Sequence, residues 1–117
     1  MSNRHHRIDY VEFPTPDIAA MKNFYGAVFG WSFSDYGPDY CGINGTDGRE
    51  QGGFARADKV EAGGPLVVLY SEDLDSTLAA VKSSGGAIVQ EPFDFPGGRR
   101  FHFRDPSGHV VAVWSQS

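Results

Sequence analysis

Two side chains combine a titratable group with a patterned setting, Glu12 and His102, and either could serve in general acid–base proton transfer. His102 lies in Arg100-Phe101-His102-Phe103-Arg104, where strand alternation sets Arg100, His102 and Arg104 on one face and both phenylalanines on the other. A face of that kind is either solvated or turned to a ligand, and both readings stand. His109 follows a turn glycine and reads as exposed, and His5-His6 precedes the first strand and reads as a flexible end. Cys41, in a glycine-flanked strand, reads as a small buried residue rather than a nucleophile. As the single cysteine it can form no internal bridge, and there is no CxxC pair or zinc spacing. Gly42-Ile43-Asn44-Gly45 lacks the spacing of a dinucleotide loop, and no Gly-Lys-Ser/Thr phosphate loop occurs.

The elements that must position these groups come from a chain of 117 residues, 40% hydrophobic and 21% charged, enough for one soluble domain with its own core. The net charge of −5 repels a polyanion, so nucleic acid is not an expected partner; the acidic balance serves solubility or suits a cationic guest. Apolar runs span only a few residues and the start, Ser2-Asn3-Arg4-His5-His6-Arg7, is polar, so no membrane association and a cytoplasmic location are expected.

The chain is one unit written twice. Asp17-Ile18-Ala19-Ala20-Met21-Lys22 has the pattern of Asp73-Leu74-Asp75-Ser76-Thr77-Leu78, and 73 minus 17 gives an offset of 56. The same offset superimposes Tyr10-Val11-Glu12-Phe13 on Leu66-Val67-Val68-Leu69, Phe29-Gly30 on Gly85-Gly86, and Gly52 on Gly108. In the first copy Ile8 to Phe13 reads as a strand ended by Pro14 and Pro16. A helix capped by Asp17 follows, with Ile18, Met21, Tyr25 and Val28 on one face and Gly30 at its end. Short strands are expected at Trp31 to Asp35, Tyr40 to Ile43 and Gly53 to Ala57. In the second copy they fall at Leu66 to Tyr70, Ala87 to Gln90, Arg100 to Arg104 and Val110 to Trp114. The helix there carries Leu74, Thr77, Leu78 and Val81 and stops at Gly85-Gly86. Asp105-Pro106-Ser107-Gly108 suits a type I turn between the last two strands. The expected class is α+β: two tandem βαβββ modules, residues 8–57 and 66–115, in one domain, joined through Asp58 to Pro65.

Phe24-Tyr25-Gly26-Ala27-Val28-Phe29-Gly30-Trp31, with Gly85-Gly86-Ala87-Ile88-Val89 and Asp105-Pro106-Ser107-Gly108-His109, resembles the two module signatures of the vicinal oxygen chelate superfamily. That superfamily includes glyoxalase I, extradiol dioxygenases and bleomycin resistance proteins. The resemblance covers residues 8 to 115 and implies curled mixed sheets around a cleft, helices outside. It is specific for the fold and weak for the reaction. In metal-dependent members the first and last strands of each module supply ligands to one divalent ion. The matching first-strand positions are Tyr10 and Leu66, seven before Asp17 and Asp73. The matching last-strand position is Ala112, and the repeat offset points to Arg56 as its counterpart. A phenol, an isobutyl group, a guanidinium and a methyl group make no divalent-metal site, so no cofactor is expected at the family positions; an ion held elsewhere stays open.

The same resemblance gives a cavity floor of Tyr10, Glu12, Arg56, Val68, Ala112 and Trp114, aromatic and apolar with a few polar groups. Tyr10 and Trp114 have core-aromatic readings as well. An inward Glu12 needs a partner or a raised pKa, and is either ion-paired with Arg56 or a catalytic base. Two functions follow. One is a metal-free binding protein that holds a small organic molecule, resembling the drug-sequestering resistance proteins. The other is a glyoxalase-type lyase or isomerase acting on a small carbonyl compound, with Glu12 or His102 as the proton-transfer group. A ligand-free accessory role is the third. Open strand edges favour a homodimer.

Overall fold

The computed structural model describes residues 5–61 and 63–117; Ser2-Asn3-Arg4 lies outside them. The chain divides between Val60 and Glu61 into two compact units. The first contains β1 (Val11–Thr15), α1 (Ile18–Phe29), β2 (Ser32–Asp35), β3 (Tyr40–Asn44) and β4 (Glu50–Arg56). The second contains β5 (Val67–Tyr70), α2 (Leu74–Ser83), β6 (Ala87–Phe95), β7 (Gly98–Arg104) and β8 (Val110–Ser115). Each forms a four-stranded mixed sheet, in the order β1-β4-β3-β2 and β5-β8-β7-β6. In each the first strand runs parallel to the last and the other neighbours are antiparallel. The architecture is α+β, two tandem βαβββ modules.

The helices begin for the same local reason. Thr15 Oγ1 accepts from the Asp17 amide at 2.9 Å, and the Asp17 carboxylate accepts from the Ala20 amide at 3.0 Å. Fifty-six residues on, Ser71 Oγ and Asp73 repeat both contacts, at 3.0 Å to the Asp73 amide and 3.1 Å from the Ser76 amide. Each cap satisfies amides that the first turn leaves bare, worth about 1 kcal/mol. Helix α1 ends on Gly30 in the left-handed region (φ 72°), its amide bonded back to Gly26 and Tyr25 carbonyls. One face of each sheet is then covered by its helix. Tyr25 of α1 lies 5.7 Å from the Phe54 ring and stacks on Trp31 at 4.6 Å. In the second unit Leu74 and Val81 of α2 are buried, as are Phe101, Phe103, Val111 and Val113 of the strands.

Three expectations change. Strand β1 runs through Pro14 to Thr15 instead of ending there; as an edge strand it leaves one side of its backbone outside the sheet, where a missing N–H is tolerated. Strand β6 continues past Gln90 to Phe95, with register shifts at Ile88/Gln90 and Gln90/Phe93. The repeat offset also drifts. Val68 pairs with Ala112 as Glu12 pairs with Gly53, so Ala112 corresponds to Gly53, and 112 minus 53 is 59. Across the preceding hairpin, Ser34 pairs with Gly42 while Gln90 pairs with His102, eight residues against twelve. The second copy therefore carries four extra residues in its β6–β7 hairpin, and one fewer between β7 and β8, where Gln51 bulges out of the first copy.

Candidate functional site

The register determines which predicted site residues share a face. In the first unit Glu12, Gly53, Gly42 and Ser34 form one row across all four strands, on the side away from α1. Arg56 pairs with Thr15 and falls on the helix side with Phe54, so it is not the counterpart of Ala112 and makes no ion pair with Glu12. Its guanidinium bonds to the Ala57 carbonyl at 2.7 Å and Asp58 at 3.3 Å instead. The constant repeat offset fails for Arg56 because both hairpins that precede the last strand differ in length between the two copies.

Two bare glycines in that row leave room for neighbours to lie over the sheet. The Tyr10 and Tyr40 hydroxyls meet at 2.5 Å above Gly53, where a Cβ would come within 2.7 Å of the Tyr10 oxygen. Burial, then hydrogen bonds to Tyr10 and Glu12, push the Tyr40 phenol far above its ordinary range, so it stays protonated. Glu50 reaches over Gly42, its Oε1 buried and without a hydrogen-bond partner. A hydrogen bond to Glu50, reinforced by desolvation, raises the Tyr36 phenol. Tyr36, Tyr40 and Glu50 escaped the sequence reading; the signal was the alternation of Tyr40 and Gly42 with buried Cys41 and Ile43. Cys41 is buried and burial pushes its thiol up, which makes it a core residue and a poor nucleophile. A cleft of about 380 Å³ opens beside the end of α1, along Trp31, Asn44 and Gln51, and its walls carry no ionisable side chain.

In the second unit the helix-free face carries Val68, Ala112, His102 and Gln90 in one row and Tyr70, Trp114, Arg100 and Phe93 in the next. Ala112 is fully buried, whereas Leu66, Val68 and Tyr70 are 40%, 44% and 49% exposed. Trp114 meets Tyr70 edge-on at 4.9 Å and Phe95 at 6.1 Å. The Arg100 guanidinium lies 5.3 Å from the Phe93 ring centroid and 5.8 Å from that of Phe95. His102 is half-buried beside Phe93, at 5.9 Å, and desolvation, then the Arg100 charge, lower its pKa, so it is neutral at pH 7. Both Arg100 Nε and His102 Nε2 are buried without a hydrogen-bond partner. Phe93 and Phe95 were missed although they flank Asp94 at strand period, because Pro92 reads as a breaker. His109 is half-buried rather than exposed, its amide held by Asp105 Oδ1 at 3.0 Å; His5 and His6 stack on each other at 3.7 Å and are exposed.

The chain belongs to the Glyoxalase/Bleomycin resistance protein/Dioxygenase superfamily, whose family model matches residues 7–113. Among curated proteins it is 30% identical over 124 residues to the anthracycline biosynthesis protein DauV of Streptomyces sp. (strain C5), covering 90% of this chain and 45% of that one. The chain thus spans about half the length of the curated relatives it matches. A glyoxalase/bleomycin resistance protein/dioxygenase family enzyme from Burkholderia phytofirmans PsJN shares the fold with a TM-score of 0.80 at 19% identity, over 94% of this chain and 98% of that one. TnmS3, an antibiotic binding protein from Streptomyces sp. CB03234, does so with a TM-score of 0.71 at 22% identity, over 100% and 99%.

The corrected register also tests the family's metal. Tyr10 and Gly53 in the first unit, and Leu66 and Ala112 in the second, offer a phenol, no side chain, an isobutyl group and a methyl group. These residues do not fit a divalent ion. Among the described residues no three His, Cys, Asp or Glu side chains are grouped to hold one.

Proposed function

We propose that the chain binds a small, planar organic molecule on the helix-free face of its second unit. The observation that carries this reading is the apolar row left open there: Leu66, Val68 and Tyr70 are each two-fifths exposed or more, beside Trp114. An uncovered stripe of large apolar side chains, framed by a few polar groups, is the make-up of a small-molecule surface. The relatives point the same way: one is an antibiotic binding protein and another takes part in anthracycline biosynthesis. The test is a titration with polycyclic aromatic compounds, an anthracycline among them, read through Trp114 fluorescence with Trp31 as the internal reference. Saturable quenching that disappears in Trp114→Phe is expected; unchanged emission across the panel would overturn the reading.

A second reading, a lyase or isomerase acting on a small carbonyl compound, is favoured by one feature. The neutral His102, with Nε2 unpartnered, is in the state a general base requires. Turnover that survives His102→Gln intact would remove it. Glu12 is exposed and bonded to Tyr40, which suits a hydrogen-bond acceptor better than a base. The binding reading carries a homodimer with it, because β1, β2, β5 and β6 each end a sheet with open backbone groups. Sedimentation equilibrium checks this, and a monomer mass would refute it. No described helix is long and apolar enough to cross a membrane.

A further inference from the structure

The charges of the second unit narrow the ligand class. Half-buried arginines elsewhere have found acids: Arg49 pairs with Asp9, and Arg99, next in sequence to Arg100, reaches Asp75 at 3.2 Å on the helix side of the sheet. Arg100 points the other way. Its guanidinium lies against the faces of Phe93 and Phe95, and its buried Nε has no acceptor. A permanent cation against aromatic rings keeps part of its stabilisation from those rings. A buried N–H without an acceptor still costs free energy, because the water it gave up is not replaced. Two positions along the same strand and on the same face, His102 holds a second buried nitrogen without a partner. Strand geometry spaces such residues about 7 Å apart at Cα, within reach of the two oxygens of one planar group.

We infer that Arg100 and His102 form a subsite for an anionic oxygen group, a carboxylate on an aromatic ring, with Phe93, Phe95 and Trp114 receiving the ring. This rests on the binding reading above and deepens it. The carboxylate supplies the counter-charge that the sheet withholds from Arg100, and neutral His102 donates through Nε2–H to the second oxygen. The overall charge of −5 opposes anions at long range, so selection for the acid must arise in contact with Arg100.

The test is calorimetric titration of the unmodified protein with naphthoate and with naphthamide, which share the ring and differ in charge. Naphthoate is expected to bind roughly tenfold or more tightly than the amide, the margin of one charge-assisted contact. In Arg100→Gln the two should bind alike, with Arg100→Lys intermediate because a point charge lacks the planar fork. Equal affinities in the unmodified protein overturn the anion subsite and leave the binding reading standing. No heat from either compound up to millimolar concentration overturns both. An acid preference that persists in a folded Arg100→Gln variant overturns the assignment to Arg100. If that variant does not fold, the acid and amide comparison in the unmodified protein decides alone.

Discussion

Gly52 and Gly53 of the first unit and Gly64 at the start of the second differ in what a methyl group would strike, and they make a graded test of the register. At Gly52 an added Cβ overlaps the Val11 carbonyl oxygen, a backbone atom in the parallel β1–β4 pairing, with the Val11 carbonyl carbon at 3.3 Å behind it. Relief requires the two strands to part, which adds the loss of a ladder hydrogen bond to overpacking, together about 2–4 kcal/mol. At Gly53 the obstacles are the tips of Tyr40 and Tyr10, which can swing aside at the loss of their mutual hydrogen bond, about 1 kcal/mol. Gly64 meets nothing within 4 Å and has no positive φ, so alanine there restricts only the unfolded chain and stabilises by about 0.5 kcal/mol. For a chain of this length each kcal/mol moves the midpoint by roughly 4 °C. Thermal unfolding followed by circular dichroism should therefore show Gly52→Ala lowered by about 8–16 °C, Gly53→Ala by about 4 °C, and Gly64→Ala level or slightly raised. A Gly52→Ala protein melting within about 2 °C of the parent, or melting above Gly53→Ala, would refute the pairing of Val11 with Gly52 and everything placed by it.

Three further outcomes follow from the site. The folded state raises the Tyr40 pKa, so its contribution is whole below the unfolded value near 10 and fades as pH climbs through the folded one; urea midpoints should drop in strong alkali, and less so in Tyr40→Phe. His102 runs the opposite way: with its folded pKa lowered by burial and by Arg100, stability is intact above about 6.5 and declines as pH falls through the folded pKa, since the unfolded chain binds the proton more readily. His102→Gln should flatten that acid limb, and an unchanged limb would show that its ring is solvated. Because the matching positions hold Tyr10, Gly53, Leu66 and Ala112, millimolar zinc, manganese or nickel should leave the melting temperature unmoved. A rise that grows with ion concentration would mean that a site of another composition exists.

Much of the fold could be read without coordinates because its punctuation is local. Asp17 and Asp73 cap by bonding amides three residues ahead, and Gly30 ends α1 through its own φ; neither needs a distant neighbour. Strand lengths and register were less legible. Whether Pro14 breaks β1 depends on that strand lying at an edge, and whether Pro92 breaks β6 depends on β7 continuing beside it, and both are facts of the assembled sheet. The sequence placed Tyr10 with Glu12 and Ala112 with Trp114, since alternation within one strand is short-range. It misplaced Arg56, because matching one copy to the other needs the number of residues in every intervening loop. Tyr40 and Glu50 come over the sheet through the vacancies at Gly53 and Gly42, and no single-strand pattern reports a neighbour on the next strand.

The longer β6–β7 hairpin makes the two halves unequal in a way their common topology conceals. Phe93 and Phe95 stand in the stretch for which the first half has no matching residues, so a chimaera of two first halves would keep both caps and both ladders yet lose its ring of phenylalanines. Grafting those four residues between Asp35 and Tyr40 would ask whether a duplicated scaffold can be taught a second guest. The repeated unit supplies the frame, and the longer hairpin gives the second half alone an aromatic surface.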